Sequence, residues 1–232
     1  MTYEDKKTLK LSVFLLVILV VSFIIGLLAG RYPVTLNSLW QSLLGDSSNY
    51  QVELSIIRSL RLPRTFVAVL VGMSLSVSGL IYQEVFRNKL VSPDFLGVSS
   101  GASVGAAIAI ILGLSAIYIS MFAFVLGITA MILTLFFANI INKQSPTILV
   151  LAGIVVSSFM SALISIIKYI APSEIVLADI TFWLMGSYAS AKGEAIILLL
   201  PVVVIGVTIL YLMRWKINII GQGMFEAQSQ GL

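Results

Sequence analysis

Three arginines, Arg58, Arg61 and Arg64, recur at every third residue. On a helix, successive members advance by about 300°, which gathers them into a loose basic patch. Such a patch at a membrane serves one of two ends: its guanidiniums snorkel to lipid headgroups, or they dock the acidic surface of a soluble binding protein. A second group of polar residues is the connector 83–94, which carries charges and Pro93 between two apolar segments rich in small residues. A third is the stripe Ser157, Ser161 and Ser165, which follows Gly153 at every fourth residue and ends near Lys168. Serines spaced in this way either bond to their own i−4 carbonyls inside a packed interface or form the wall of an aqueous pathway. The chain has no Cys and no His. That excludes disulfides and thiolate sites, removes the usual general base, and leaves no catalytic residue, metal-ligand set or cofactor to assign.

The elements that carry these residues belong to a membrane. The chain is 59% hydrophobic and 10% charged, with a mean hydropathy of +1.08, against roughly 45–50% apolar and 25% charged for soluble domains. Lipid offers the backbone no hydrogen-bond partner, so an all-α, polytopic helical bundle is expected. Six segments near 11–29, 65–82, 96–112, 118–141, 148–170 and 195–213 have the length a bilayer requires. The first follows Lys6, Lys7 and Lys10 as a leader would, but its 19 residues exceed the roughly 7–15 of a signal peptide's apolar core. It is expected to be a membrane helix. With the N-terminus inside, the cytoplasmic segments hold eight basic residues and the outer ones six, a weak bias in that direction. The net charge of +4 therefore concerns topology, and no nucleic-acid partner is expected.

One outer loop, 31–64, is long. Leu36, Leu39, Trp40, Leu43 and Leu44 follow helical spacing within it and predict a short interfacial helix. Residues 45–49 predict a turn, and Pro63 stands just before the second membrane helix, where its missing N–H costs little. Gly97, Gly101 and Gly105 recur at i, i+4, i+8 and predict close backbone packing, with no ligand role. No domain boundary or internal repeat is evident, so residues 1–232 are expected to form a single transmembrane domain.

The order Arg61-Leu62-Pro63-Arg64, an apolar helix with a Ser-Gly pair, Gln83, Arg87-Asn88, Pro93, Leu96-Gly97 and Ser100-Gly101-Ala102 is distinctive. It resembles the permease subunits of ABC importers for iron–siderophore, haem and cobalamin, the FecCD-type family, and the resemblance spans nearly the whole chain. It implies a multi-pass protein of the bacterial cytoplasmic membrane, with a cytoplasmic N-terminus. Arg61 and Arg64 would dock glutamates of an extracytoplasmic substrate-binding protein. The fifth helix, with Ser157, Ser161 and Ser165, would line the translocation route together with a short helix like 174–187, which ends in the family's Trp-x-Met-Gly-Ser. Asp179 there is an interfacial cap or a pathway charge. Asn88 and Leu90, with Ser145, Pro146 and Thr147, would contribute to a cytoplasmic gate, although Lys89 replaces the family's usual proline. The tail 218–232 resembles the coupling helices that seat on an ATPase subunit. Gly221, Glu226, Ala227, Ser229 and Gly231 fall in it, while Gln230 replaces a leucine and Met224-Phe225 an acidic pair.

The expected function is import of an iron–siderophore, with haem or cobalamin as alternatives. The chain carries no G-x-x-x-x-G-K-[ST], so ATP hydrolysis is expected of a separate ATP-binding cassette subunit, and a second permease copy or paralogue would complete a dimer. Members of the family continue for further membrane helices. The chain is thus expected to be the first two-thirds of such a permease, truncated naturally or by design, and a fragment that does not transport alone is a third alternative. An intramembrane enzyme is disfavoured by the missing His, Cys and paired membrane carboxylates. An ion-coupled secondary transporter is disfavoured because no Asp, Glu, Lys or Arg lies centrally in any of the six segments.

Overall fold

The computed structural model describes residues 3–35, 40, 51–89, 91–141 and 145–222, and every regular element among them is a helix. In chain order these are α1 (Tyr3–Leu28), α2 (Gln51–Ile56), a π-helical turn (Ile57–Arg61), α3 (Leu62–Phe86), a 3₁₀ turn (Pro93–Leu96), α4 (Val98–Ile111), α5 (Ala116–Ile141), α6 (Pro146–Tyr169), α7 (Glu174–Met185), α8 (Gly193–Leu212) and α9 (Arg214–Gln222). Among the described residues five stretches are long and apolar enough to cross a membrane: Lys6–Leu28, Gln51–Phe86, Ala116–Ile141, Pro146–Tyr169 and Gly193–Leu212. With the shorter apolar α4 they cover the six segments read from the sequence. Along α1 and α5 large apolar side chains stay exposed, as lipid contact requires.

Two expectations are corrected. The long loop does not reach Arg64, because residues 51–86 form one helical stretch. Pro63 lies inside it and cannot donate to the usual i−4 carbonyl. The π turn absorbs this: the N–H of Leu62 bonds five residues back to Ile57 O, so the helix widens before the proline. The third span is also not one helix. Gly97 sits between the 3₁₀ turn and α4 with φ 75°, a left-handed conformation that favours glycine. The expected interfacial helix and the turn at 45–49 lie outside the described residues, except for the exposed Trp40.

The chain divides into two compact units, and the division falls inside α3 and α8. The first comprises Met1–Ser74 and Tyr188–Thr208. Leu27, Leu54, Ile57, Val67 and Leu70 are buried in it. Gly26 meets the Thr65 side chain, where a Cβ would come within 3.1 Å of Cγ2.

The second unit, Leu75–Ser187 with Ile209–Leu232, has its core where α4, α5 and α6 meet. Val104, Ala130, Val156 and Met160 are buried there. Glycines set the spacing: a Cβ on Gly101 would come within 2.5 Å of Leu126 O, and one on Gly105 would overlap Phe122 O. Close approach of this kind is the main source of helix affinity in lipid. Gly153 faces the Phe95 carbonyl so closely that no side chain fits. The hydroxyl of Thr134, fully buried, donates to Leu96 O at 3.0 Å. These contacts hold the 3₁₀ turn against α5 and α6.

Candidate functional site

Arg61 closes the π turn and is 8% exposed. Its Nη1 donates to Leu27 O at 2.9 Å and to Leu28 O at 2.6 Å, and its Nη2 donates to Tyr32 O at 2.5 Å. The last carbonyls of a helix lack intrahelical partners and carry the negative end of its dipole, so the guanidinium caps α1. Gly30 leaves the room: a Cβ there would lie 2.6 Å from Nη2. Three of its five N–H donors are thus spent on α1 and Tyr32. Arg64 is half-buried; its Nη2 donates to Ala189 O, and its buried Nε–H has no partner among the described residues. Arg58 is exposed.

In the second unit, an open groove of about 520 Å³ runs between the 3₁₀ turn and α6. Ser92, Asp94 and Phe95 form one side, and Ile154, Ser157, Ser158 and Ser161 the other. Two of the three stripe serines, Ser157 and Ser161, line it. Ser165 does not; it lies exposed farther along α6. The stripe hydroxyls also bond to their own helix: Ser161 Oγ donates to Ser157 O at 2.8 Å, Ser165 Oγ to Ser161 O at 3.0 Å and Ser158 Oγ to Ile154 O at 2.9 Å. A hydroxyl whose proton is spent on the backbone shows its surroundings only lone pairs. Asp94 adds a carboxylate and accepts a hydrogen bond from the Ser99 hydroxyl. The groove thus offers hydroxyls and one negative charge, and no cation lines it among the described residues.

Asp94, Ser92 and Ser158 have no assigned role in the sequence reading. Ser158 adjoins the stripe, so a wider helix face would have included it. The placement of Asp94 depends on the Gly153 contact, which no spacing rule reveals.

The gate residues lie at two neighbouring segments. Phe86, Val91 and Leu96 form a small apolar cluster against which Phe95, Leu149 and Val150 pack, so the connector and the first turns of α6 share one footing. Asn88 is exposed beside it, and its N–H bonds to Gln83 O at 3.1 Å. Leu90 lies outside the described residues. Ser145 is the N-cap of α6, its Oγ accepting from the Ile148 N–H at 3.4 Å; Pro146 starts the helix, and Thr147 is exposed in its first turn. Ser173, not Asp179, caps α7, so Asp179 is an exposed mid-helix residue.

Of the coupling residues, Gly221 lies in α9, while Glu226, Ala227, Ser229 and Gly231 fall outside the described residues. Gly221 faces α3: its carbonyl accepts from Arg87 Nε at 2.8 Å, and a Cβ on it would overlap the Glu84 carboxylate. No cluster of three or more potential metal ligands of the His, Cys, Asp or Glu type occurs among the described residues.

Comparison with known proteins agrees with this geometry. Residues 18–232 match the FecCD transport family. The molybdate import system permease protein MolB of Haemophilus influenzae is 32% identical over 94% of this chain and 66% of its own length. A probable iron chelatin transport system permease protein of Helicobacter pylori is 37% identical over 92% of this chain and 65% of its own. The hemin transport system permease protein HmuU of Yersinia pestis is 30% identical over 94% and 65%. A solved inward-facing structure of an ABC transporter assigned to the metal-chelate type superposes with a TM-score of 0.82 at 30% identity, over 96% of this chain and 68% of that one. The chain thus spans about two-thirds of the length of the curated relatives it matches. With the fold in agreement and the family model matching residues 18–232, the chain belongs to the FecCD transport family.

Proposed function

We propose that this chain is the membrane subunit, or the larger part of it, of a binding-protein-dependent ABC importer that carries a metal chelate into the cytoplasm. The observation that carries this reading is the likeness to the metal-chelate type transporter over 96% of the chain. ATP hydrolysis falls to a separate cassette subunit, and a second permease copy or paralogue completes the pathway. The groove of Ser92, Asp94, Ser157 and Ser161 supplies part of the pathway wall, with Asn88, Leu90 and Ser145–Thr147 at its cytoplasmic gate. Arg64, half-exposed, receives the binding protein together with the exposed Arg58.

Relatives handle molybdate, iron chelates and hemin. Here a groove with a carboxylate, and with no cation among its described lining, disfavours a bare oxyanion and suits a bulky chelate whose ligands already wrap the metal. An iron–siderophore is the cargo this favours, with haem or cobalamin as the alternative. Uptake of labelled ferric siderophore, haem, cobalamin and molybdate in a deletion strain complemented with the gene tests the choice. Siderophore uptake restored alone is the expected result; molybdate uptake restored alone would refute the groove reading.

The orientation has its own test. A cytoplasmic N-terminus puts the α4–α5 turn outside and the α5–α6 turn inside. The chain has no Cys, so Ser115→Cys should react with an impermeant maleimide in intact cells and Ser145→Cys should not. The reverse pattern inverts the topology.

A further inference from the structure

The cytoplasmic end of α3 holds a backbone anomaly. α3 ends in a Schellman motif: the Asn88 N–H bonds to Gln83 O at 3.1 Å and the Arg87 N–H to Glu84 O at 3.2 Å. The residue at the left-handed position of that motif is usually glycine, because a Cβ is strained there. Here it is Arg87, with φ 52°, the one non-glycine residue of positive φ among the described residues. Strain at a single position points to a function that its side chain performs.

That side chain reaches α9. Arg87 Nε donates to Gly221 O, in α9, at 2.8 Å. The opposite side of the contact is shaped to match. Glu84, one turn before Arg87, occupies the space where a Cβ on residue 221 would stand, so a larger residue there would push the Glu84 carboxylate aside. Meanwhile Ile219 buries its side chain and keeps α9 from floating free. Two features therefore converge on one point: an arginine in a left-handed conformation that donates to the Gly221 carbonyl, and a glycine packed against the Glu84 carboxylate.

We infer that Glu84, Arg87 and Gly221 form a latch that makes the connector after α3 and the helix α9 move as one body, with Arg87 as its positioning residue. The role of the latch in transport rests on the function proposed above: the connector carries the gate residue Asn88, and α9 leads into the segment expected on the ATPase. A displacement of α9 by the ATPase would then be delivered to the gate through Arg87. The latch is exposed to solvent and rests on one charged hydrogen bond, so it opens and closes readily.

The test uses spin labels at Lys89→Cys and Lys216→Cys, in a chain that has no other cysteine, held in lipid nanodiscs. The native background should give a dominant latched distance and a minor open one by pulsed electron resonance. Arg87→Gly relieves the strain and so folds, yet it should lower the latched-to-open ratio by about tenfold, near the low end for a hydrogen bond to a charged group. Arg87→Lys should keep most of the latched population, and Gly221→Ala should reproduce the opening from the other side. An unchanged distance distribution in both Arg87→Gly and Gly221→Ala overturns the latch. In the complete transporter with its ATPase and binding protein, Arg87→Gly should reduce chelate moved per ATP by a similar factor. An unchanged ratio, with the latch shown open, overturns its part in coupling. Absence of ATP-driven uptake by the native complex instead overturns the proposed function and leaves the distance result standing.

Discussion

Arginines stand at both chain ends of α3, and they do the same chemistry in opposite settings. Arg61, just before the helix, and Arg87, just after it, each donate to backbone carbonyls of another helix. Arg61 is buried, serves three carbonyls and pays no backbone strain of its own. Arg87 is exposed, serves one carbonyl and sits in a left-handed conformation. Burial decides what each contact is for. A buried guanidinium shielded from water cannot leave its carbonyls without orphaning them, so it fixes α1 permanently. An exposed one exchanges with water at little cost, which suits a contact that must open.

That contrast fails or sharpens under substitution. The largest effect is expected for Arg61→Ala, which strands the carbonyls of Leu27, Leu28 and Tyr32. A loss of about 2–4 kcal/mol should follow, read as a lower thermal midpoint in detergent; a native midpoint would place Arg61 among the surface arginines after all. Next comes Gly30→Val, which pushes a side chain into the guanidinium's space and should cost about 1–2 kcal/mol. The two variants should be strongly non-additive, since both break one contact. Additive losses would separate Gly30 from the cap. The smallest effect concerns the partner surface: Arg58→Glu with Arg64→Glu should leave the melting midpoint near native. It should slow binding-protein association about tenfold at low salt, and the gap should narrow as salt rises. If Arg61→Glu alone slows association in a chain that still melts normally, Arg61 belongs to the docking surface and the division drawn here is wrong.

Much of this was legible in the sequence, and the unreadable part has a common cause. Long apolar runs are local signals, so the spans and the helix after them were plain. The stripe of Ser157 and Ser161 was visible as a period of four, and the glycine pair at 101 and 105 as a packing face. Arg61 was not readable as a cap, because its partners at Leu27 and Leu28 lie more than thirty residues upstream. Its spacing with Arg58 and Arg64 described a patch, and spacing says nothing of which member turns inward. Likewise, Gly153 was counted as one small residue among serines, whereas its role is to admit the Phe95 carbonyl and so bring Asp94 to the groove. The unbroken helix through Pro63 was hidden for another reason: a π turn compensates for a proline, and no residue pattern announces one.

The shortness of α4 bears on how the protein is made. Its 14 residues rise roughly 21 Å, short of the roughly 30 Å of hydrocarbon in a bilayer. Much of its surface is glycine, alanine and serine, and its buried face is spoken for by α5. Such a segment partitions poorly from the translocon as a lone span. It is stable in lipid only once α5 has been synthesised and can pair with it, so residues 98–141 should leave the ribosome and enter the membrane as one helical hairpin. A stop placed between α4 and α5 would therefore strand α4 outside the bilayer, and the order of synthesis, not the hydropathy of the segment, sets when the third crossing is made.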